Sequence, residues 1–234
     1  MSDQTGYPGT NVSPKASRST RSAAARPIQS MTTSVLALRS SQAECVWAAA
    51  IRMTASYCPP VPYRVVVTDD DARAWLDHHL RDLGEPFDLF ACDPALADTA
   101  AFCAAYGFAA EDAANTIVVI GKSDPPRYAA CVTLAPYRLD VNRMVRDRLG
   151  TRKASFAAAE DTAALTGMQM GGVTVFGLPA GLPIWVDARV MARERIVLGG
   201  GSRSWKVIAT PAILRALPGM EVVDGLATDP RPTA

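Results

Sequence analysis

The sequence predicts an α+β, or mixed α/β, fold. A strongly β-branched run over residues 115–120 is followed by a second apolar segment over 128–134, which is the pattern of two paired strands. Apolar residues over 72–83 recur at the spacing of an amphipathic helix. Because the remaining segments follow neither a strict βαβ alternation nor an all-β pattern, we expect a strand-rich domain with helices in mixed positions.

The composition limits the class of protein. The 234 residues are 49% apolar and 20% charged, which is enough for a sizeable core in one domain with a tail or, as the alternative, two small domains. A net charge of +1 gives no overall field that would attract nucleic acid, so a nucleic-acid contact would need a local basic patch. No apolar run is long enough to span a bilayer.

Cysteine and histidine usage bears on the compartment and on metals. The five cysteines have no CxxC spacing and favour reduced thiols, so we expect a cytoplasmic protein without a disulfide framework. The two histidines, His78 and His79, lie together in the predicted first helix without the partners of a metal motif. We therefore expect no metal and no cofactor, and neither a membrane nor DNA as a partner.

The chain divides into three predicted segments. Residues 1–60 form a disordered or weakly structured N-terminal extension, since the first thirty contain almost no large apolar side chains. Five basic residues and no acidic one between Gln4 and Ala43 also fit a transit peptide, and a start at a later Met or Val is a third alternative. A helix over 35–51 is possible before the proline cluster at 59–62. Residues 61–227 are the folded domain, and 228–234 are a flexible tail.

The elements of the folded domain are predicted from periodicity and from their end signals. Strands are expected at 64–67, 87–91, 115–120, 128–134, 153–156, 205–209 and 221–223. Helices are expected at 71–83, 93–106, 140–149, 159–166 and 210–217. Glycines end four of these helices, at Gly84, Gly107, Gly150 and Gly167.

Two glycine clusters stand out between residues 165 and 201. Gly171-Gly172 and Gly199-Gly200-Gly201 each adjoin a short apolar run. Glycine beside a strand often marks a left-handed turn or a close approach by another backbone or a ligand. The two clusters therefore predict one backbone-lined pocket if their strands are neighbours, or hairpin turns as the alternative.

The order of motifs in this region resembles the YbaK/ProX family, which comprises aminoacyl-tRNA deacylases and the editing domain inserted in some prolyl-tRNA synthetases. Thr-Gly-x-x-x-Gly-Gly-x-x-x-Phe-Gly ends at Gly177, Asp187 follows ten residues later, and Ile-Val-x-Gly-Gly-Gly ends at Gly201. The likeness runs from about Asp71 to Leu226. It implies a barrel-like mixed sheet flanked by helices, and a hydrolase that cleaves the ester of mischarged tRNA in trans.

The resemblance also implies site residues, in a pocket between the glycine segments. Asn115, Gly171 and Gly172 would be catalytic, with glycine N–H groups directed at the ester carbonyl while water attacks with help from the terminal ribose hydroxyl. The implied substrate contacts are Thr99, Phe176, Gly177, Asp187, Leu198, Gly199, Gly200, Gly201 and Arg203. Asp187 is expected either to cap a loop or to hold the substrate ammonium group. Arg203 and Lys206 are placed to meet a phosphate, or else are solvated surface residues.

The chain departs from the family pattern at two positions. Competent members carry a lysine in a Lys-Thr-Leu type motif, and this chain has Asn115-Thr116-Ile117 instead. A proline that stiffens the family's glycine loop is replaced by Val175. Two functions remain open: a deacylase that acts on the 3′ aminoacyl end of tRNA, with a synthetase as a further candidate partner, and a degenerate member that binds an aminoacyl-tRNA end, an amino acid or a protein without turnover.

Overall fold

The computed structural model describes Thr68 and residues 70–230, and within them the apolar segments form the strands and helices that the pattern predicts. The strands are β1 Phe87–Ala91, β2 Ala114–Gly121, β3 Arg127–Leu134, β4 Arg138–Leu139, β5 Ala154–Phe156, β6 Ile184–Asp187, β7 Ile196–Gly199, β8 Trp205–Ala209, β9 Met220–Val223 and β10 Ala227–Thr228. The α-helices are α1 Ala72–Arg81, α2 Thr99–Tyr106, α3 Arg146–Leu149, α4 Ala159–Thr166, α5 Ala188–Met191 and α6 Ala212–Arg215.

The strands form a mixed sheet and an antiparallel sheet that touch along one edge. The mixed sheet has the order β5-β2-β3-β6-β9, with β2 antiparallel to both neighbours and β6 parallel to both of its own. The second sheet has the order β1-β8-β7 and is antiparallel throughout. A parallel bridge between Ala113 and Val197 joins the two sheets. The predicted α+β class, with a mixed sheet flanked by helices, is confirmed.

The β2–β3 hairpin is the central pair, and its pairing follows from its sequence. β-branched residues fit a pleated, buried surface, and β2 lies between β3 and β5 in the sheet with five of its eight residues buried. Asn115 lies opposite Thr133 in this register. The predicted strand pair is confirmed, and it fixes the direction in which Asn115 leaves the sheet.

Helix α1 covers the core with the apolar stripe that its periodicity predicts. Leu76 and Leu80 are fully buried among residues of both sheets. Burying a leucine side chain contributes about 1.5–3 kcal/mol, so these two residues alone hold the helix on the core. The helix ends at Arg81, and Gly84 follows with a φ of +69°.

The helix predicted over 93–106 is interrupted, which is a correction to the sequence prediction. Asp93 caps a 3-10 turn, Pro94–Leu96, by accepting a hydrogen bond from the N–H of Ala95 at 2.8 Å. Asp98 is then extended, with φ −67° and ψ 138°, and α2 begins at Thr99. The break exposes the carbonyl of Ala97 to a partner outside the helix.

The helix predicted over 140–149 also has two parts. Asp140 accepts a hydrogen bond from the N–H of Arg143 and begins a π-helical turn, Val141–Val145, which continues into α3. Gly150 ends α3 in the left-handed region, as predicted.

Several predictions fall at or beyond the limits of the described residues. The strand predicted at 64–67 and the extension 1–60 lie outside them. The tail predicted from residue 228 onward begins inside β10, where Thr228 pairs with Arg138 of β4. In the part of the chain that the structure describes, no helix combines the length and apolarity needed to cross a membrane.

Candidate functional site

A cavity of about 370 Å³ lies where the two sheets meet. Its walls come from the start of α2, from Ala113 and the first five residues of β2, from the end of β5, from the loop around Gly171, and from β7 and β8. Small alanines and apolar side chains make up most of the lining. The charged and polar side chains in the lining are Asp98, Thr99, Asn115, Thr116, Thr162 and Lys206.

Lys206 is the cation of this cavity. It lies on β8 opposite Gly199 of β7, and only 6% of its surface is exposed. Its Nζ donates to the carbonyl of Ala97 at 2.7 Å and to that of Gly171 at 3.0 Å, and it lies 5.5 Å from the Phe102 ring centre. An ammonium group has three donors, so one N–H remains after these two bonds.

Two features of its surroundings lower the pKa of Lys206. Burial lowers the pKa of the Lys206 ammonium below its ordinary value, because the charged form loses hydration, and nearby Arg203 acts in the same direction. The two carbonyls replace part of that hydration. The Ala97 carbonyl is available because α2 begins only at Thr99, and the Gly171 carbonyl is available because Gly171 turns with a φ of +87°.

Asn115 and Thr99 form a polar pair on the wall opposite the glycine loop. The Thr99 hydroxyl donates to Oδ1 of Asn115 at 2.7 Å, which orients the carboxamide. Its Nδ2 then has no hydrogen-bond acceptor among the described residues. The pair therefore offers a neutral N–H donor to a ligand in the cavity.

Asp98 supplies the carboxylate of the lining in the described part of the chain. Its side chain is 73% exposed, and Arg203 Nη1 lies 3.4 Å from it. The same guanidinium group donates to the carbonyls of Pro94 at 2.9 Å and Met170 at 3.2 Å. Arg203 therefore connects the entrance to α2 with the glycine loop, and it is held by these carbonyls beside the cavity rather than in its lining.

The structure brings together five of the residues predicted for the site. The cavity is lined by Thr99, Asn115, Gly171, Leu198 and Gly199. They come from α2, β2, the glycine loop and β7, so the predicted convergence of the two glycine segments on one pocket is what the fold produces.

Three other predicted residues are placed away from the lining. Phe176 is fully buried in the main core, and Gly177 packs against Trp75 and His79 of α1. Asp187 is 1% exposed and caps α5 by accepting from the N–H of Arg189 at 2.9 Å.

The Asp187 carboxylate is fully engaged by the protein. It also accepts from the N–H of Ala227 at 2.8 Å and from the Arg189 guanidinium. Of the two expectations for Asp187, the structure shows the cap and gives no path for a substrate ammonium group.

The backbones of the two glycine segments are in direct contact. Gly201 N–H donates to Gly172 O at 2.6 Å, and Gly172 N–H donates to Gln169 O at 2.9 Å. A Cβ on Gly172 would overlap the Ser202 carbonyl, and one on Gly200 would overlap the Trp205 backbone. Gly172 is therefore required by its contact with the Ser202 backbone, and Gly200 by its contact with the Trp205 backbone.

The backbone hydrogen bonds of Gly172 and Gly201 correct the predicted role of their N–H groups. Those of Gly172 and Gly201 are bonded to protein carbonyls and are not directed at a ligand. Both alternatives for the second cluster hold at once, since Gly200 and Gly201 belong to the β7–β8 hairpin connection and Gly199, the last residue of β7, lines the cavity.

Sequence reasoning missed several lining residues. Lys206 is buried and not a surface residue, and a lysine inside the apolar run Trp205–Ala209 is a signal of burial with a partner. Asp98 carried the signal of a second N-cap. Phe156 and Met170 carried none, because exposure of an apolar residue depends on the surrounding fold.

Among the described residues, no group of three His, Cys, Asp or Glu side chains is arranged to hold a metal ion.

Comparisons with known proteins agree with this geometry. A family profile described as the aminoacyl-tRNA editing domain matches residues 93–217, more than half of the chain. No curated protein sequence matches the chain significantly.

Solved structures with the same fold are similar over about two thirds of the chain. One, described as a candidate trans-editing enzyme for prolyl tRNA synthetase, has a TM-score of 0.58 at 21% identity and covers 65% of this chain and 95% of its own. The hypothetical protein APE2540 has a TM-score of 0.59 at 21% identity and covers 66% of this chain and 99% of its own. Likeness at these identities shows the fold. With the profile match, it establishes that the chain belongs to the aminoacyl-tRNA editing domain family.

Proposed function

We propose that this protein is a trans-acting deacylase that hydrolyses the ester of mischarged aminoacyl-tRNA. The observation that carries the proposal is the buried ammonium of Lys206 in a cavity that also holds Asn115 and Asp98. Membership in the editing-domain family supports the class of reaction. The 3′ end of tRNA is the partner in this proposal, with a synthetase as a further candidate, and the cytoplasm is the proposed compartment.

The lining suits attack by water better than attack by the protein. Among the described lining residues there is no cysteine, serine or histidine that would form a covalent intermediate. As the resemblance implies, the ribose hydroxyl next to the ester assists the water. The protein then has to orient the ester and stabilise the negative charge that develops on its carbonyl oxygen.

Three of the polar lining residues have a role in this reaction. The free N–H of Lys206 and the carboxamide N–H of Asn115 stabilise the developing oxyanion. Asp98, at the mouth, pairs with the α-ammonium group of the amino acid, the role that Asp187 cannot fill. Lys206 thus supplies a cation that Asn115 does not.

The test is single-turnover deacylation across a panel of mischarged tRNAs with Lys206→Met. We expect the rate on the best substrate to fall by about 10²–10³, the usual effect of losing one preorganised contact to developing charge. Arg215→Met is the matched control, because it removes an exposed cation from α6 outside the cavity and should leave the rate unchanged.

A second candidate function is binding without turnover. The observation that favours it is Asn115, a neutral group where competent family members carry lysine. Background rates for the wild-type protein across the whole panel, together with tight binding of aminoacyl-tRNA or free amino acid, would establish this alternative and refute the deacylase.

A further inference from the structure

Two large apolar side chains remain exposed at the mouth of the cavity. Phe156 is 57% exposed and Met170 is 53% exposed, and both belong to the lining. In the described part of the chain, the other large apolar residue with comparable exposure is Val222, at 39%, outside the cavity. Exposed apolar groups collected at one opening are typical of a binding surface.

The position of Phe156 explains its exposure. It is the last residue of β5, a three-residue strand at the edge of the mixed sheet, where it pairs with Val119. Among the residues that the structure describes, no strand lies beyond β5 in that sheet. Met170 precedes Gly171, and its carbonyl is held by Arg203, so both residues have a fixed backbone at the rim.

The size of the cavity determines which part of a substrate reaches this rim. A volume of about 370 Å³ is near the lower end for small-molecule pockets and suits an aminoacyl group. The terminal nucleoside of an aminoacyl-tRNA is attached directly to that group and must then lie at the mouth. A flat base there meets an exposed aromatic ring and a flexible thioether, which are the partners that stack on bases with little sequence preference.

Charge near β5 also fits a nucleic acid. Lys122, Arg152 and Lys153 are exposed, and Lys122 N–H donates to Lys153 O at 2.8 Å. Lys153 precedes Phe156 by three residues, or about 10 Å along an extended strand. The nearby acids Glu160 and Asp161 belong to the first turn of α4, where they complement the helix dipole.

The rim is too small for a protein interface, which needs about 20–30 residues on each side. We propose that Phe156, with Met170, is a stacking subsite for the 3′-terminal nucleobase of tRNA. This inference rests on the proposed function, because it takes the cavity to be the site of the aminoacyl group.

The test uses binding of unfractionated uncharged tRNA, so that no ester hydrolysis is needed. We expect Phe156→Ala to weaken the apparent Kd by about 5- to 100-fold and Phe156→Trp to restore it, because any aromatic face stacks on a base. Val222→Ala is the matched control, an exposed apolar truncation outside the cavity, and should bind as the wild type does.

A second arm identifies the contacted group. The same tRNA with its terminal adenosine removed should bind the wild type as weakly as intact tRNA binds Phe156→Ala, and Phe156→Ala should cause no further loss. An equal loss on both RNAs would show that Phe156 contacts a part of the tRNA other than the terminal base, and would overturn the subsite. So would a Phe156→Ala variant that behaves like Val222→Ala, or a wild-type protein that binds neither RNA.

The outcomes also separate this inference from the proposed enzyme. Adenosine-dependent and Phe156-dependent binding without any deacylation would keep the subsite and reject the enzyme. Deacylation with a KM for aminoacyl-tRNA that Phe156→Ala does not change would keep the enzyme and reject the subsite.

Discussion

At the scale of single residues, the main feature of the site is the charge of Lys206, which comes from β8. Asn115 on β2 and Lys206 on β8 approach the same cavity from different sheets. A cation acts on developing negative charge through its position in space, and the strand that carries it does not matter to the chemistry. A neutral asparagine at position 115 is therefore compatible with a positive charge in the cavity.

Exchanging the two positions tests this compensation. We expect Asn115→Lys to recover at least ten-fold of the single-turnover rate that Lys206→Met loses, because the double variant again has one ammonium group in the cavity. In the wild-type background, Asn115→Lys should give a smaller gain or a loss, since a second buried cation repels the first.

The same comparison has a clear negative result. If Asn115→Lys raises activity in the wild-type background by 10²–10³ and Lys206→Met changes nothing, position 115 alone governs catalysis and Lys206 is structural. Thermal unfolding of all four proteins serves as the control for folding.

At the scale of elements, the glycine loop and the β7–β8 hairpin form one unit through direct backbone contact. Gly172 meets the Ser202 carbonyl and bonds to Gly201, and Gly199 approaches the carbonyls of residues 172 and 173. This unit presents the Gly171 carbonyl to Lys206. The alignment of the ammonium group therefore depends on a contact that no side chain makes.

Gly172→Ala should disturb this unit. Its Cβ would overlap the Ser202 carbonyl, and the neighbouring backbone has to move, at a cost of about 1–3 kcal/mol in the free energy of unfolding. We expect both lower stability in denaturant unfolding and weaker ligand binding, because Gly171 moves with the loop.

Gly181→Ala is the control for this substitution. Gly181 has a φ of +83° with open space around it, so alanine there suffers backbone strain of about 1–2 kcal/mol without overlap. A Gly172→Ala protein at least as stable as Gly181→Ala, with unchanged ligand binding, would show that the two segments tolerate separation.

Which elements could be predicted from the sequence depends on whether their signals are local. The β2–β3 pair and the stripe on α1 were predictable, because periods of two and 3.6 residues report burial directly. The break at Asp98 was not, since Asp93 and Asp98 both offer a cap and the choice depends on where the chain meets the cavity.

The site could be predicted where glycine backbone forms it. It could not be predicted where a side chain is held by a partner distant in the sequence. The glycines at 171 and 199 met at the cavity as expected. Asp187 and Phe176 also belong to the spaced motif, but Asp187 caps α5 and Phe176 lies in the core. The spacing does not distinguish a buried structural acid from an acid that binds a ligand. The apolar run around Lys206 signals its burial, but its partners, the carbonyls of Ala97 and Gly171, follow only from the way the two sheets meet around it.

At the scale of the whole molecule, the family match at 93–217 and the cores described above belong to the region after residue 61. We predict that a shortened chain beginning at Pro62 keeps the fold, the Tm and the deacylation rate of the full chain. Thermal unfolding monitored by circular dichroism, with single-turnover deacylation, measures all three. Loss of a cooperative transition would show that residues before Pro62 stabilise the domain.

The alanine-rich lining determines how the substrate range of the proposed deacylase can be redesigned. Gly199 lies against two backbone carbonyls of the loop after Gly171, so it tolerates no added side chain. Ala97, Ala113 and Ala114 are at most 3% exposed, and a larger side chain there would overpack the surrounding residues. Ala157 is the half-buried alanine of the lining. A saturation library at Ala157 should therefore yield variants that reject bulkier amino acids as the added side chain grows, without loss of the reacting groups.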